Sequence, residues 1–216
     1  MTQMTQNMQT AEVSNNKVEI VGEIASGFNQ SHRIYGENFY SFTLKARRLS
    51  DSYDSIIVTV SERLLVGSKF KAGDIVRIKG QYRSYNNYST VGNRLILTVF
   101  TQEIELLEAR FAKSTQNAVF LNGYICKPPV YRTTPFGREI TDTLLAVNRT
   151  YNKSDYIPCI AWGRNARYIS SLAVGTNINV WGRIQSRDYE KKISENEVVT
   201  KTAYEVSVNK IELKRE

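Results

Sequence analysis

The chain contains two similar segments, about 101 residues apart. Three glycines of the first segment recur in the second within similar apolar surroundings: Gly22, Gly73 and Gly80 correspond to Gly123, Gly175 and Gly182. A repeat of this length is larger than the unit of a solenoid, so each copy is expected to close a hydrophobic core of its own. The repeat therefore predicts two tandem domains of the same fold.

The composition along the chain predicts where these domains begin and end. Residues 1–15 are polar and lack periodicity, which predicts a disordered leader. Apolar patterning then predicts an N-terminal domain over residues 16–108 and a C-terminal domain over residues 118–216. Residues 109–117 carry no apolar alternation and form the predicted linker.

Alternation of apolar and polar residues predicts β-strands in each copy. In the third predicted strand Ile56, Val58 and Val60 share one face, which is the core face, and the other face is expected to meet water or a ligand. A short helix is predicted over residues 62–67, and Gly80 within a strand pattern predicts a bulge or bend. Five strands with one helix after the third is the plan of an OB-fold barrel. The predicted fold class is all-β, with two tandem five-stranded OB-fold barrels that each carry one short helix.

Each copy is expected to contain a hairpin loop between its last two strands. Residues 85–93 have the composition of such a loop in the first copy. The spacing of matching positions shows that the second copy is five residues longer in this region, within the charged stretch at residues 191–201. This stretch is predicted to be a mobile loop.

The charge of the chain limits the classes of partner. The formal net charge is +8, and basic residues exceed acidic ones by 14 to 11 over residues 1–114 and by 15 to 10 over residues 115–216. A basic surface on both copies favours a polyanionic partner, most simply nucleic acid. A solvated basic surface without a ligand is the alternative that charge alone leaves open.

Several functional classes have little support in the composition. The single histidine, His32, leaves no metal-binding cluster and little basis for a histidine-dependent nucleophile, so no enzyme, metal site or cofactor is predicted. The start of the chain does not resemble a signal peptide, and no apolar run approaches the roughly 20 residues of a membrane span. A cytoplasmic protein without a membrane partner is expected, in which Cys126 and Cys159 are free thiols.

Four motifs occur in order in the second copy: YRTTPFG at 131–137, LAVNR at 145–149, SDYIPCIAWGRNA at 154–166 and GRIQSRDYE at 182–190. Together they resemble the bacterial single-stranded DNA-binding protein family, which includes the primosomal replication protein N. The resemblance covers residues 118–213, and the first copy shares it only through the internal repeat. It implies an OB fold and a non-enzymatic protein that binds single-stranded DNA, with little sequence preference, in replication, recombination or repair.

In that family, aromatic side chains on the barrel face stack with bases. The matching positions in this sequence are Tyr151, Tyr156, Trp162 and Tyr189. Strand alternation agrees for Tyr156 and Trp162, which fall opposite the core-facing residues Ile157, Cys159 and Ala161. An alternative interpretation is that these two rings are buried against a partner subunit or a helix.

Cationic side chains close to the aromatic positions are predicted to contact phosphates. In the second copy these residues are Arg132, Arg149, Arg183, Arg187, Lys191 and Lys192. Trp181 is equally consistent with a core edge and with the ligand face.

The first copy lacks the matching rings, because Ser55 and Ser61 occupy the positions of Tyr156 and Trp162. Its candidate contacts are Tyr85, Arg83 and Arg48, and Tyr82 has the alternation of a core residue. The first copy is therefore expected to bind nucleic acid weakly or mainly through charge.

The resemblance also bears on assembly and partners. The family often places four OB barrels around the strand, so two barrels per chain predict a homodimer with four. Main-type members continue into a tail with an acidic tip, and this sequence has no such tip, so recruitment of replication or repair proteins is not expected by that route. Single-stranded RNA is a second candidate ligand. The alternative function is an OB-fold protein-interaction module that docks to a replication or restart enzyme.

Overall fold

The computed structural model describes residues 15–86, 95–194 and 197–214. Apart from Asn15, the predicted leader lies outside the described residues, as does the predicted hairpin loop from residue 87 onward. The described chain contains twelve strands and two short helices. In chain order they are β1 Asn16–Ile24, β2 Asn29–Ile34, β3 Glu37–Arg47, β4 Tyr53–Ser61, α1 Glu62–Leu65, β5 Ile75–Asn86, β6 Leu95–Leu107, β7 Asn117–Ile125, β8 Val130–Thr133, β9 Glu139–Arg149, β10 Lys153–Trp162, α2 Arg164–Ser170, β11 Asn177–Ser194 and β12 Glu197–Leu213.

Each half of the chain closes a ring of five strands. In the first half the order is β1, β3, β4, β6, β5 and back to β1, and the pairing of Glu23 with Lys45 closes the ring. The second half repeats it with β7, β9, β10, β12 and β11. The pairs β4–β6 and β10–β12 are parallel, and a helix follows β4 and β10. This is the topology of the OB fold, and the predicted fold class is confirmed.

The core positions of β4 are those that the sequence indicated. Ile56, Val58 and Val60 are buried inside the first barrel. The opposite face of this strand is less open than predicted, because Thr59 is buried there and its hydroxyl lies 2.9 Å from that of Thr98 on β6. The neighbouring parallel strand thus covers part of the face that the alternation assigned to water or a ligand.

A strand bulge occurs at the predicted glycine and at its counterpart. The pairing register shifts between Lys79 and Gly80 and again between Trp181 and Gly182. A Cβ atom at Gly80 would lie 2.1 Å from the carbonyl oxygen of Phe100. Only glycine permits this close approach of two backbones at the point where the strand bends.

Three boundaries differ from the sequence predictions. Helix α1 ends at Leu65, two residues early, and Tyr85 belongs to β5 instead of a loop. The stretch at residues 191–201 was predicted as a mobile loop, but β11 continues to Ser194 and pairs with β12 from Glu197 onward. Val198, Val199 and Thr200 are β-branched and favour this extended hairpin. The segment between the barrels contains a short 3-10 helix, Ala109–Lys113.

The two barrels pack side by side around an approximate two-fold axis. Strand β1 pairs with β7 in antiparallel register, with Val18 opposite Val119 at the centre, so that one continuous sheet passes through both barrels. The Asn16 side chain exchanges two hydrogen bonds with the backbone of Tyr82, at 2.7 and 2.8 Å. Asn117 does the same with the backbone of Ile184, at 2.8 and 2.9 Å.

Candidate nucleic-acid interface

The outer face of β10 carries two partly exposed aromatic rings. Tyr156 is 44% exposed and Trp162 is 38% exposed, whereas the intervening core-side residues Ile157, Cys159 and Ala161 are buried. Ile160 lies on the outer face but is also buried, so the face is open at the two ends of the strand. Six residues of strand separate the rings by about 20 Å, so that each can stack with a different base.

Tyr151 lies between β9 and β10 and is 92% exposed. Its φ of 61° is left-handed, as the tight turn requires. The turn borders a groove of about 1060 Å³ between the barrels. The charged residues that line this groove are Lys17, Lys79, Arg83, Arg149 and Lys153, with Glu19 and Glu103. The excess of cations beside an exposed ring is the combination that binds a single strand of nucleic acid.

Strand β11 carries the other predicted contacts of the second barrel. Arg187 and Tyr189 are exposed near its far end, and Lys192 is exposed beyond them. Arg187 and Lys192 form no ion pair with any residue that the structure describes. The side chain of Lys191 lies outside what is described. These positions are open to a polyanion.

Two of the predicted phosphate contacts are instead engaged at the junction of the barrels. Asp54 of the first barrel is buried, with 1% of its side chain exposed, and pairs with Arg48 and, at 2.9 Å, with Arg183 of the second barrel. The backbone N–H of Ser186 donates a further hydrogen bond to the same carboxylate, at 2.8 Å. Arg48 and Arg183 therefore hold the two barrels together through one buried acid.

Asp155 occupies the matching junction on the other side of the two-fold axis. It accepts hydrogen bonds from Arg149, at 3.1 Å, and from the backbone of Ser84, at 2.8 Å. Its second oxygen has no hydrogen-bond partner among the described residues. Arg132, by contrast, makes an exposed ion pair with Asp142 at 2.8 Å.

The two serines that replace the rings in the first barrel have other contacts. The backbone N–H of Ser55 donates to the hydroxyl of Ser186 in the second barrel, at 2.8 Å, and the hydroxyl of Ser61 caps α1. On the opposite side of the axis, the backbone N–H of Tyr156 donates to the hydroxyl of Ser84, at 2.7 Å. On both sides of the two-fold axis, the first outer-face positions of β4 and β10 therefore lie where the two barrels meet.

The first barrel has aromatic side chains that the comparison of the two copies missed. His32, Phe39 and Phe100 lie in consecutive ring contact, and the Arg83 guanidinium lies 3.9 Å from the centre of the Phe100 ring. Tyr85, further along β5, is partly buried. The position-by-position comparison missed these rings because they lie on β3 and β6, not on β4.

Trp181 belongs neither to a barrel core nor to the face of β10. Its ring lies 5.1 Å from that of Phe120, and the Lys210 ammonium lies 4.7 Å from its centre, on the outer side of the sheet that joins the barrels. Tyr82 is buried in the first core, as its alternation predicted, and burial raises the pKa of its hydroxyl.

Cys126 and Cys159 are free thiols, as predicted. Burial raises the pKa of both, so they stay protonated and unreactive at neutral pH. In the part of the chain that the structure describes, neither helix has the length and apolarity needed to cross a bilayer.

Comparison with known proteins agrees with this geometry. Residues 116–214 match the family model described as SSB, the single-strand binding protein family. The chain is 38% identical over 91 residues to single-stranded DNA-binding protein 1 of Staphylococcus aureus, covering 39% of this chain and 54% of that protein. It is 36% identical over 96 residues to single-stranded DNA-binding protein A of Bacillus subtilis, covering 41% of this chain and 56% of that protein.

The chain therefore spans about half the length of the curated relatives it matches. The likeness in fold extends further, to both barrels. The crystal structure of the wild-type single-stranded DNA binding protein from Thermus aquaticus superposes with a TM-score of 0.73 at 18% identity, covering 93% of each chain. The part of the chain that forms the second barrel, residues 116–214, therefore matches the single-strand binding protein family.

Proposed function

We propose that the chain binds single-stranded DNA with little sequence preference and protects or organises it during replication, recombination or repair. The observation that carries this proposal is the pair of partly exposed rings, Tyr156 and Trp162, on the outer face of β10. Their exposure is what base stacking needs, because a ring can stack only where its face reaches solvent. The match of residues 116–214 to the single-strand binding protein family supports single-stranded DNA as the ligand.

In this proposal the two kinds of side chain have separate tasks. Tyr156, Trp162 and Tyr189 stack with bases, and since every base has a π-face, these contacts tolerate any sequence. Arg187 and Lys192 contact phosphates and release counterions, which makes the affinity fall as salt rises. Tyr151 adds a ring at the mouth of the cationic groove between the barrels.

The ligand class is tested by titration with labelled oligo-dT and with a duplex of equal length, each at two salt concentrations. We expect oligo-dT to bind far more tightly than the duplex, because a duplex hides the base faces. Oligo-rU of the same length shows whether single-stranded RNA is a second ligand. Equal affinity for duplex and oligo-dT would refute the single-strand proposal.

We also propose a homodimer, in which four barrels act on one strand. The surface that supports it is the end of β7 away from the groove, where Tyr124 is 42% exposed. Light scattering of the full chain should give twice the mass of one chain, and Tyr124→Ser should shift the protein toward the monomer. A wild-type monomer at micromolar concentration would contradict this assembly.

A further inference from the structure

The outer face of the first barrel carries a continuous row of rings that ends in a cation. The rings of His32 and Phe39 lie parallel, with 4.8 Å between their centres and 4° between their planes. Phe39 is buried and lies 5.8 Å from Phe100, and the Arg83 guanidinium lies 3.9 Å above the Phe100 ring, so the partly exposed members are His32, Phe100 and Arg83. The row crosses β2, β3, β6 and β5, and its members come from distant parts of the sequence.

This row lies on the face that corresponds to the Tyr156 and Trp162 face of the second barrel. Phe39 pairs directly with Ser61, which has the position of Trp162, so the two side chains share one side of the sheet. Arg83 pairs with Thr98, whose hydroxyl contacts Thr59 on the same side. The first barrel has therefore not lost its aromatic face, because the rings lie on strands to either side of β4.

The charge of Arg83 distinguishes this row from ordinary packing. Among the described residues its guanidinium donates only to Gln81, at 2.8 and 3.2 Å, and pairs with no carboxylate. Arg48, Arg149 and Arg183 are each tied to a buried aspartate. A planar cation that lies on a partly exposed ring, without an acidic partner, can contact a phosphate while a base stacks beside it.

The second barrel has no counterpart of this arrangement. The residues that match Arg83, Phe100 and Thr98 are Gln185, Ser207 and Glu205. There, Gln185 donates to Glu205 at 2.6 Å, which places a buried acid where the first barrel has a ring and a cation. The two barrels thus place their rings on different strands of the same face.

The row ends close to the second barrel. Ser84, next to Arg83 in β5, accepts the hydrogen bond from the backbone of Tyr156. Arg83 also lines the groove that Tyr151 borders. Because the side chains of Ser84 and Arg83 point to opposite sides of β5, the groove is the surface that connects Arg83 with Tyr151.

We propose that His32, Phe100 and Arg83, packed on the buried ring of Phe39, form a second base-stacking site, specific to the first barrel, and that one strand of DNA passes from it onto Tyr156 and Trp162. This inference rests on the proposed function and extends it: each chain contains two dissimilar stacking sites in series. The first barrel takes up bases through β2, β6 and β5, and the second through β10.

The test uses the full chain and labelled dT oligomers of two lengths, about 12 nucleotides, which one OB fold can cover, and about 35 nucleotides. Phe100→Leu keeps the apolar volume and removes the π-face, and Arg83→Gln removes the cation. Each should weaken binding of the long oligomer about tenfold, the loss of roughly one stacked base. Each should leave the short oligomer within about twofold of wild type, because the second barrel can hold it alone.

The matched control is Phe28→Leu, which alters another partly buried ring of the first barrel, 4.9 Å from Phe42 and off this face. It should bind both oligomers like the wild type. An equal loss in Phe28→Leu, or wild-type binding of the long oligomer by Phe100→Leu, would overturn the second site. Two other results would instead refute the proposed function. The wild-type chain would bind neither oligomer, or Trp162→Ala would bind both as tightly as the wild type.

A direct readout needs no variant. Photocrosslinking of the full chain to oligo-dT that contains 5-iodouracil should label a peptide with His32 or Phe100 as well as one with Tyr156 or Trp162. Labels confined to the second barrel would overturn the inference and leave the proposed function intact.

Discussion

Replacing Trp162 by alanine should weaken binding of oligo-dT by about 1–3 kcal/mol and leave the salt dependence nearly unchanged, because a ring releases no counterions. Arg187→Ala should instead lower the slope of log K against log salt by roughly 0.7, the value for one phosphate of a single strand. Both effects are measured by fluorescence titration at several salt concentrations. In a Trp181→Phe background, the fluorescence of Trp162 should also be quenched by oligo-dT.

The control for Trp162 is Tyr168→Ala on α2, since Tyr168 is 39% exposed and lies off the β10 face. Trp162→Phe keeps a ring and should retain most of the affinity. If Trp162→Ala binds normally but unfolds at a much lower temperature, Trp162 is a packing residue. The stacking role of the β10 face would then be refuted.

A second large effect is expected at the junction of the barrels. Asp54→Ala should lower the free energy of unfolding by about 3 kcal/mol, the low end of the range for breaking a buried ion pair. The variant removes the carboxylate that pairs with Arg48 and Arg183, but both guanidinium groups keep about a third of their surface exposed, at 30% and 34%, so that water partly replaces the carboxylate. Urea unfolding followed by circular dichroism measures the change.

Asp142→Ala provides the matched control, because Asp142 also pairs with an arginine but is 40% exposed. Its removal should change the stability by about 0–1 kcal/mol. Equal effects of Asp54→Ala and Asp142→Ala would show that the buried acid does not hold the junction. Asp155→Ala should have a smaller effect than Asp54→Ala, since Asp155 pairs with one arginine and one of its oxygens already lacks a partner among the described residues.

These two predictions concern adjacent parts of one surface. Ser186, which donates to Asp54, precedes Arg187 in β11, and Ser84, which contacts Tyr156, follows Arg83 in β5. The contacts that fix the position of one barrel against the other therefore also fix the relative positions of the residues proposed to bind DNA.

The sequence by itself determined the repeat, the strand alternation and the glycine bulges. It also placed Tyr156 and Trp162 opposite the core of β10. These features follow from local periodicity, since residues two apart in a strand share a face whatever the strand pairs with. The motifs of the second copy were sufficient to indicate its family, which the comparisons confirmed.

Only the tertiary structure decided which charged and aromatic side chains meet. Alternation assigned Arg183 to the outer face, but where the two barrels pack together Arg183 forms an ion pair with Asp54 of the first barrel. Likewise, Phe39 and Phe100 belong to different strands far apart in the sequence, and closure of the barrel brings their rings to 5.8 Å on either side of β4. Strand order and barrel contact depend on non-local pairing, so the periodicity of a single strand carries no information about either.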